Sequence, residues 1–286
     1  MSARSAVLLS LLIVLAFPTV LRAQTPACDK LEGVQKRMAL EILKSSHPYD
    51  CCDDTIWNCL NKKPKCALAV RLANYVCTQA SVNRDKKSLE RALANRAKSM
   101  MRFGAKTVKV DIRNGQSIGK DDAPVHVTAY LCVRCPFCSK LAPMLYREIT
   151  SGSLKNKVKF TIQLFPIKGH TMSTESGLAA VASRKMGKFW PYMLKAYSEY
   201  NDFSKEKIRQ WASDVGLNLE KFDQIAGQDS TRDDLVDSKK EGLKNGVRAT
   251  PTIVLNGRMY EGPMDMYSVM DVIREEYDHV TGREYE

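Results

Sequence analysis

The stretch that decides the fold is Val125-His126-Val127-Thr128-Ala129-Tyr130-Leu131, followed shortly by Cys135-Pro136-Phe137-Cys138. The apolar run predicts a buried strand, and a helical pattern begins after the cysteines. Free N–H groups and the dipole at a helix start favour an anion, and a thiolate is the nucleophile in disulfide exchange. The second cysteine lies one turn further on, so it can close a disulfide after the first has attacked a partner. We therefore predict a redox pair in which Cys135 attacks and Cys138 resolves.

A C-x-x-C pair can instead form half of a zinc site or a structural bridge. Structural zinc normally takes four ligands, and no cysteine follows Cys138. A c-type haem needs histidine directly after the pair, where this chain has Ser139. The pattern favours redox chemistry with no metal and no organic cofactor, while the metal and bridge interpretations stay open.

A second informative stretch runs from Gly246 to Tyr260. Asn256-Gly257 separates two apolar runs there, which predicts a two-residue β-hairpin. Pro251 comes where the first of these strands begins, and proline is tolerated there only at a strand start or in a special turn. General frequencies favour a trans proline, whereas a partnership with the cysteine pair favours a cis Thr250–Pro251 bond.

Six landmarks follow one another along the chain. They are Asp122-Ala123-Pro124-Val125, Cys135-Pro136-Phe137-Cys138, Phe165-Pro166 with Gly169-His170, Gly187-Lys188-Phe189-Trp190, Gly216 to Phe222, and Gly246 to Gly257. With them, residues 105–280 resemble the DsbA-like family of exported thiol-disulfide oxidoreductases, which have a thioredoxin fold with a helical insertion. The resemblance implies that Thr250 and Pro251 line the groove that holds the partner polypeptide.

The chain departs from that family at one buried position. Many members carry an acid six residues before the attacking cysteine, where this chain has Ala129. Proton transfer from the second thiol would then use water or another group. The pair encloses Pro136-Phe137 and lacks the histidine of the strongest oxidants in the family, so the resemblance implies a milder redox potential.

Residues 1–23 predict a signal peptide. Arg4 precedes an apolar run from Ala6 to Phe17 that is shorter than a membrane span, and Leu21-Arg22-Ala23 offers a small residue at the cut. An uncleaved membrane anchor is the alternative. We expect a periplasmic or otherwise secreted protein.

The charge balance is strongly basic, with a formal net charge of +12. Removal of residues 1–23 takes away Arg4 and Arg22 and no acids, which leaves 12 − 2 = +10. The basic residues are scattered among acids in amphipathic helices, without a recognition element, so we expect no nucleic-acid partner. Work near an anionic envelope surface is a simpler explanation.

Residues 24–103 predict a small all-α domain. Leu31, Val34, Met38 and Ile42 recur at helical spacing and predict one buried face. Asp53 or Asp54 is expected to cap a short helix that carries Ile56. Pro64 is expected in the first turn of the next helix.

This segment is rich in cysteine: Cys28, Cys51, Cys52, Cys59, Cys66 and Cys77. An even number in a secreted helical segment predicts structural disulfides that stabilise a small core, and their pairing cannot be read from the sequence. A vicinal bridge would be strained, so Cys51 and Cys52 should each pair with a different helix. A metal cluster of His47, Asp50, Cys51 and Cys52, or a second redox centre, is the alternative. This domain could also pair two copies of the chain or hold a partner.

Residues 104–286 predict the thioredoxin-like domain. Lys106–Ile112 is expected to be an edge strand, Asn114-Gly115 and Gly119 a loop, and residues 157–164 a half-buried strand. Residues of about 172–245 form the predicted helical insertion. A final helix is expected from Met264 to Tyr277.

Two further residues near the pair need separate interpretations. Cys132 is the odd cysteine, and we interpret it as a small apolar residue at a strand end that stays reduced. An accessory thiol that shuttles with Cys135, or a bridge to the first domain, is the alternative. His170 is expected to be solvated or to cap a helix, in preference to acting as an acid–base catalyst.

The predicted protein is thus an α/β, thioredoxin-like protein with a helical insertion, preceded by a disulfide-rich helical domain. We predict an exported protein thiol-disulfide oxidoreductase that acts on extended, cysteine-containing polypeptides. A membrane redox partner would reset the pair. A disulfide isomerase or reductase, a non-enzymatic binding protein, and a metal chaperone that uses Cys132, Cys135 and Cys138 are the alternatives.

Overall fold

The computed structural model describes residues 25–101 and 104–283. The predicted signal peptide, residues 1–23, lies outside the described residues. No helix within the two described ranges is both long enough and apolar enough to cross a membrane.

The N-terminal part is a compact set of five helices with its own core. They are α1 (Pro26–Asp29), α2 (Gly33–Ser45), α3 (Ile56–Cys59), α4 (Ala67–Ser81) and α5 (Lys86–Met100). Ile42, Leu72 and Leu89 are fully buried between them. Three disulfides, Cys28–Cys77, Cys51–Cys66 and Cys52–Cys59, join the helices and the loops between them. We call residues 25–101 the helical unit.

Three local predictions for the helical unit are wrong. Val34 is 70% exposed, because the chain enters α2 only at Gly33 and the buried face begins further along, at Ala39. The hydroxyl of Thr55, rather than Asp53 or Asp54, accepts a hydrogen bond from the Asn58 N–H and caps α3. Pro64 follows a cis bond in a turn before α4, whose N-cap is Cys66.

A five-stranded mixed sheet forms the centre of the second part, in the order β1-β3-β2-β4-β5. The strands are β1 (Gln116–Gly119), β2 (Val125–Leu131), β3 (Val158–Leu164), β4 (Thr252–Leu255) and β5 (Arg258–Tyr260). β2 and β3 are parallel, and the other neighbours are antiparallel. β2 is therefore the central strand, and its carboxyl end leads to the cysteine pair.

The edges of the sheet differ from the prediction. Residues 116–119, predicted in part as loop, form β1, because they find a pairing partner in β3 that local sequence does not show. Within the predicted strand Lys106–Ile112, Thr107 forms an isolated bridge with Arg258. The Val108 N–H donates to Gly257 O at 2.8 Å, so this segment covers the open side of β5.

Helices cover both faces of the sheet. α6 (Cys138–Thr150) follows β2, and α12 (Met266–Val280) ends the fold close to the predicted Met264–Tyr277. The insertion predicted at about 172–245 consists of α7 (Ser173–Lys185), α8 (Phe189–Ser198), a short 3₁₀ turn (Tyr200–Asp202), α9 (Lys205–Asp214), α10 (Leu219–Gly227) and α11 (Asp229–Lys244).

The helical unit packs against α12 through a buried ionic contact. Arg96 is 1% exposed, and its guanidinium pairs with Asp271 at 2.6 Å and with Glu275. Tyr75 stacks on Tyr267 beside it, with ring centroids 6.2 Å apart. A buried charge is tolerated only when it is paired, so this contact holds the two parts in one arrangement. The domain boundary at residues 103/104 remains a prediction.

Candidate active site

The cysteine pair lies where β2 passes into α6. The Cys135 N–H donates to Cys132 O at 3.1 Å and closes the turn after the strand, and the Ser139 N–H donates to Cys135 O at 3.0 Å as the helix begins. Cys135 and Cys138 are both buried, whereas Phe137 between them is 66% exposed. The turn therefore holds both sulfurs against the protein and presents an apolar ring to solvent.

The proline turn lies directly opposite. Asn256 and Gly257, with φ of +45° and +79°, form the predicted hairpin turn, and the Thr250–Pro251 bond is cis. Antiparallel pairing places Thr252 of β4 beside Tyr130 of β2, so the start of β4 meets the end of β2. The Cys135 thiol donates a hydrogen bond to Thr250 O at 3.2 Å.

The environment of Cys135 favours the thiolate. A hydrogen bond from the Cys138 thiol, opposed by burial and supported by the backbone N–H groups of Cys138 and Phe137, lowers the pKa of Cys135 to about 5. These N–H groups are the free donors at the start of α6. At neutral pH the attacking sulfur is therefore mostly ionised.

Cys138 has the opposite environment. Burial raises the pKa of its thiol well above the ordinary value, and the neighbouring Cys135 sulfur raises it further. The backbone N–H of Cys132 partly opposes this rise. The two sulfurs thus differ strongly in acidity, which suits one to attack and the other to wait as a proton donor.

Thr250 contributes a second polar group beside the attacking sulfur. The Thr250 hydroxyl oxygen is buried and has no hydrogen-bond partner among the described residues. The Cys135 thiol donates to the backbone carbonyl of Thr250 and not to this hydroxyl. Once Cys135 is ionised, the hydroxyl can turn and donate to the sulfur, and this contact lowers the pKa of Cys135. Thr250 and Pro251 therefore lie beside the Cys135 sulfur, and their binding of a substrate stays a prediction.

Cys132 is a free, buried thiol in the same core as the pair. Its sulfur lies 3.4 Å from His170 Nδ1 and 3.2 Å from Ser173 Oγ at the start of α7. His170 is partly exposed, as a solvated histidine would be, and it also contacts this sulfur. The sequence carries no signal for this contact, because the path of the loop between β3 and α7 decides it.

Arg134 is a further residue that sequence reasoning missed. Its guanidinium donates to Thr171 O and Tyr200 O, each at 3.2 Å, and lies 4.2 Å from the ring centroid of Phe203. The Tyr200 hydroxyl donates back to Arg134 O at 3.0 Å. The residue before Cys135 is therefore fixed to the helical insertion.

The six cysteines of the helical unit take no part in this site, since all six are in disulfides. His47, Asp50, Cys51 and Cys52 consequently do not offer the free thiolates that a metal cluster there would need. Across residues 25–101 and 104–283 there is no group of three or more histidine, cysteine or carboxylate side chains arranged to hold a metal ion.

The sheet, the insertion between β3 and β4, and the cis-proline turn facing a C-x-x-C helix start define a thioredoxin fold with a helical insertion. A family model described as thioredoxin matches residues 112–275, more than half of the chain. The chain belongs to the thioredoxin family.

Solved structures show the same fold. Oxidised BdbD from Bacillus subtilis is 21% identical, with a TM-score of 0.53 over 61% of this chain and 98% of that chain. Alpha-DsbA1 from Wolbachia pipientis is 14% identical, with a TM-score of 0.52 over 61% and 96%. The predicted DsbA-like fold is confirmed.

Curated relatives match only in part. A protein named Na(+)/H(+) antiporter NhaA 1 from Mycolicibacterium gilvum (strain PYR-GCK) is 24% identical over 155 residues, which cover 53% of this chain and 25% of that protein. A protein of the same name from Mycobacterium sp. (strain KMS) is 25% identical over 168 residues, 56% of this chain and 26% of that protein. The chain spans about a quarter of the length of these relatives.

Proposed function

We propose that the protein is a thiol-disulfide oxidoreductase that exchanges disulfides with cysteine-containing polypeptides. Cys135 forms the mixed disulfide with the partner, and Cys138 resolves it. Thr250 and Pro251 bind the partner strand next to the attacking sulfur. The reaction needs no metal and no organic cofactor.

The observation that carries this proposal is the contrast between the two sulfurs of the pair. The pKa of Cys135 lies at about 5 beside the free N–H groups of a helix, whereas burial raises the pKa of Cys138. A purely structural bridge has no use for such a difference. Disulfide exchange uses one thiol of low pKa, which acts both as nucleophile and as leaving group, and a second thiol beside it.

The proposed oxidation of a partner proceeds in two steps. A partner thiolate attacks Cys135 of the Cys135–Cys138 disulfide; a partner–Cys135 bond forms, and Cys138 leaves and takes up a proton. A second partner thiolate then attacks the partner's first sulfur, so that the partner disulfide forms and Cys135 leaves as a thiolate. The partner loses two electrons and the pair gains them. The reverse sequence reduces a partner disulfide.

We expect the partner to be an extended polypeptide. The Thr250 carbonyl accepts a hydrogen bond from Cys135, so the backbone at this turn faces the sulfur. Pro251 has no N–H to pair with another strand of the sheet. Exposed Phe137 adds an apolar contact on the opposite side. An added strand would bind through backbone hydrogen bonds and a few side-chain contacts.

Three disulfides in the helical unit support export. Disulfides persist in oxidising compartments, so a periplasmic or otherwise secreted location fits both these bridges and the predicted signal peptide. The partners in this proposal are exported proteins with cysteines and a membrane redox protein that resets the pair. A homodimer through the helical unit is a further proposal.

Redox titration of the purified chain against glutathione tests the proposal. The tryptophan fluorescence and the alkylation state of the pair are followed, and we expect one two-electron transition. A potential near roughly −120 mV indicates an oxidase and one near roughly −270 mV a reductase. Refolding of a scrambled protein measures isomerase activity in the same preparation.

The matched variants are Cys135→Ser and Cys138→Ser. Cys135→Ser should abolish exchange, whereas Cys138→Ser should accumulate a mixed disulfide with a cysteine peptide, because the resolving thiol is missing. A pair that shows no transition and no mixed disulfide would refute the proposal. Metal that co-purifies with the reduced chain in a fixed ratio would instead favour the metal chaperone.

A further inference from the structure

Cys132 is buried in the core, yet its sulfur contacts two polar side chains. Its sulfur lies at the first turn of α7, a helix of 13 residues, within 3.2 Å of Ser173 Oγ. The Ile167 N–H donates to that same oxygen at 2.8 Å, so the Ser173 hydroxyl is left to donate its proton to the sulfur. The Cys132 sulfur can therefore accept a hydrogen bond from Ser173.

His170 supplies a base for this thiol. Its Nδ1 lies 3.4 Å from the Cys132 sulfur, within the distance for a hydrogen bond to sulfur. Cys132 is buried, but His170 is partly exposed and can pass a proton to solvent. A cysteine, a histidine within reach and a third group that orients them is the arrangement of an assisted nucleophile.

The third thiol lies next to the redox pair. The chain reads Cys132-Val133-Arg134-Cys135-Pro136-Phe137-Cys138, so cysteines recur every third residue. The Tyr197 hydroxyl lies 3.5 Å from Cys132 O. Burial raises the pKa of Tyr197, and negative charge on any of the three sulfurs raises it further. All three sulfurs therefore lie near enough to the Tyr197 hydroxyl to interact with it electrostatically.

We propose that Cys132 is a third redox thiol, which exchanges with the Cys135–Cys138 disulfide to give a Cys132–Cys138 disulfide and a free Cys135. This inference rests on the proposed function. His170 takes the proton of Cys132, and the Cys132 sulfur turns from His170 towards Cys138. A Cys132–Cys138 bond forms, and the Cys135–Cys138 bond breaks. Cys135 leaves with the electron pair, and no external oxidant or reductant is needed.

The acidity of the leaving thiol decides which sulfur of the Cys135–Cys138 disulfide Cys132 attacks. Attack on Cys138 releases Cys135, whose pKa is about 5, whereas attack on Cys135 would release Cys138, whose pKa is raised by burial. A thiol of lower pKa leaves faster. The exchanged form holds its disulfide internally and presents Cys135 as a free nucleophile, so an oxidised molecule can still attack a partner disulfide as an isomerase does.

Trypsin provides a direct readout, because cleavage after Arg134 separates Cys132 from the other two cysteines. The intact chain is reduced, oxidised with glutathione disulfide, quenched in acid, unfolded and labelled with a maleimide. In the Cys135–Cys138 form, peptide 135–140 carries an internal disulfide and Cys132 carries the label. In the exchanged form, peptide 121–134 is linked to peptide 135–140 and Cys135 carries the label.

We expect both forms in the oxidised wild-type chain and loss of label on Cys135 in Cys132→Ser. His170→Gln keeps a polar side chain but removes the base, so the exchanged form should appear on the order of 10²-fold more slowly. His126→Gln, an exposed histidine on β2, is the matched control and should not change this rate.

Two outcomes overturn the inference. If the Cys135–Cys138 disulfide forms and the label stays wholly on Cys132, the inference fails and the proposed function stands. If none of the three thiols forms a disulfide, both fail. An unchanged rate in His170→Gln contradicts the assigned role of the histidine even where the exchanged form is present.

Discussion

The two parts of this molecule use cysteine in opposite ways. In the helical unit, all six cysteines are in disulfides between elements of a small core. In the second part, which contains the sheet, all three cysteines are free. Cys135 and Cys138 lie at the start of α6, and the sulfur of Cys132 contacts the start of α7. A bridge restricts the unfolded chain, whereas a free thiol at a helix start is available for reaction. The position of a cysteine in the fold, and not its frequency in the sequence, decides its role.

The largest expected effect is on the rate of disulfide exchange, and it should distinguish the three free cysteines from the six bridged ones. Cys135→Ser should lower the rate of disulfide exchange by at least about 10³-fold, because the nucleophile is lost. The paired change Cys52→Ser with Cys59→Ser removes two sulfurs from the helical unit and should leave the rate unchanged. The assay is reduction of a fluorescent disulfide peptide. An equal loss in both variants would show that the helical unit belongs to the redox site.

The buried contact between the two parts should be important for stability. Arg96→Met leaves the buried Glu275 without its cationic partner and leaves Asp271 with Arg71 alone, so we expect the free energy of unfolding to fall by about 3 to 5 kcal/mol. Lys86→Met breaks an exposed pair with Glu41 and should lower the free energy of unfolding far less. Urea unfolding measures both. Similar small losses would mean that the two parts are held together mainly by apolar packing.

Within the helical unit, the bridges should differ by the length of chain they close. Cys28–Cys77 spans 49 residues and Cys52–Cys59 spans 7. Chain entropy predicts stabilisation of about 4 kcal/mol for the first and about 2.4 kcal/mol for the second. Thermal unfolding of two double variants, Cys28→Ser with Cys77→Ser and Cys52→Ser with Cys59→Ser, measures the stability that each bridge contributes. The reverse order would point to structure that persists in the unfolded chain.

The pH profile of Cys135 tests its environment. Alkylation of the reduced chain, mapped to peptide 135–140, should be half-maximal near pH 5, whereas an ordinary cysteine titrates at about 8.5. Since the folded pKa is the lower one, ionisation stabilises the reduced fold fully above the unfolded pKa, and this stabilisation is lost as the pH falls through about 5. A midpoint above pH 8 would show that the sulfur is not specially placed.

The smallest effect concerns one hydroxyl beside that sulfur. Thr250→Val removes a donor to the thiolate and should move the midpoint of alkylation up by about one to two pH units, as expected for a single hydrogen bond to a charged group. Thr252→Val is the control, because its hydroxyl donates to Ala249 O at 2.8 Å and not to the sulfur. Equal shifts in both would assign the effect to the strand rather than to the hydroxyl.

Local patterns of sequence determined several features. The C-x-x-C spacing after an apolar run, the Asn256-Gly257 turn and the amphipathic periods of the insertion are short-range signals, so they predicted the redox turn, the hairpin and the helices. The same kind of signal failed at Val34 and Pro64, where packing and turn geometry outweighed periodicity and position.

Only the tertiary structure decided which distant residues meet. The partners of the six bridging cysteines, the contact of His170 with Cys132 across 38 residues, and that of Thr250 with Cys135 across 115 depend on the path of the whole chain. Local sequence specifies backbone conformation, but acidity and hydrogen bonding depend on which groups are buried together. The sequence alone therefore predicted the chemistry of the pair, and the fold decided how ionised each sulfur is and which neighbour it contacts.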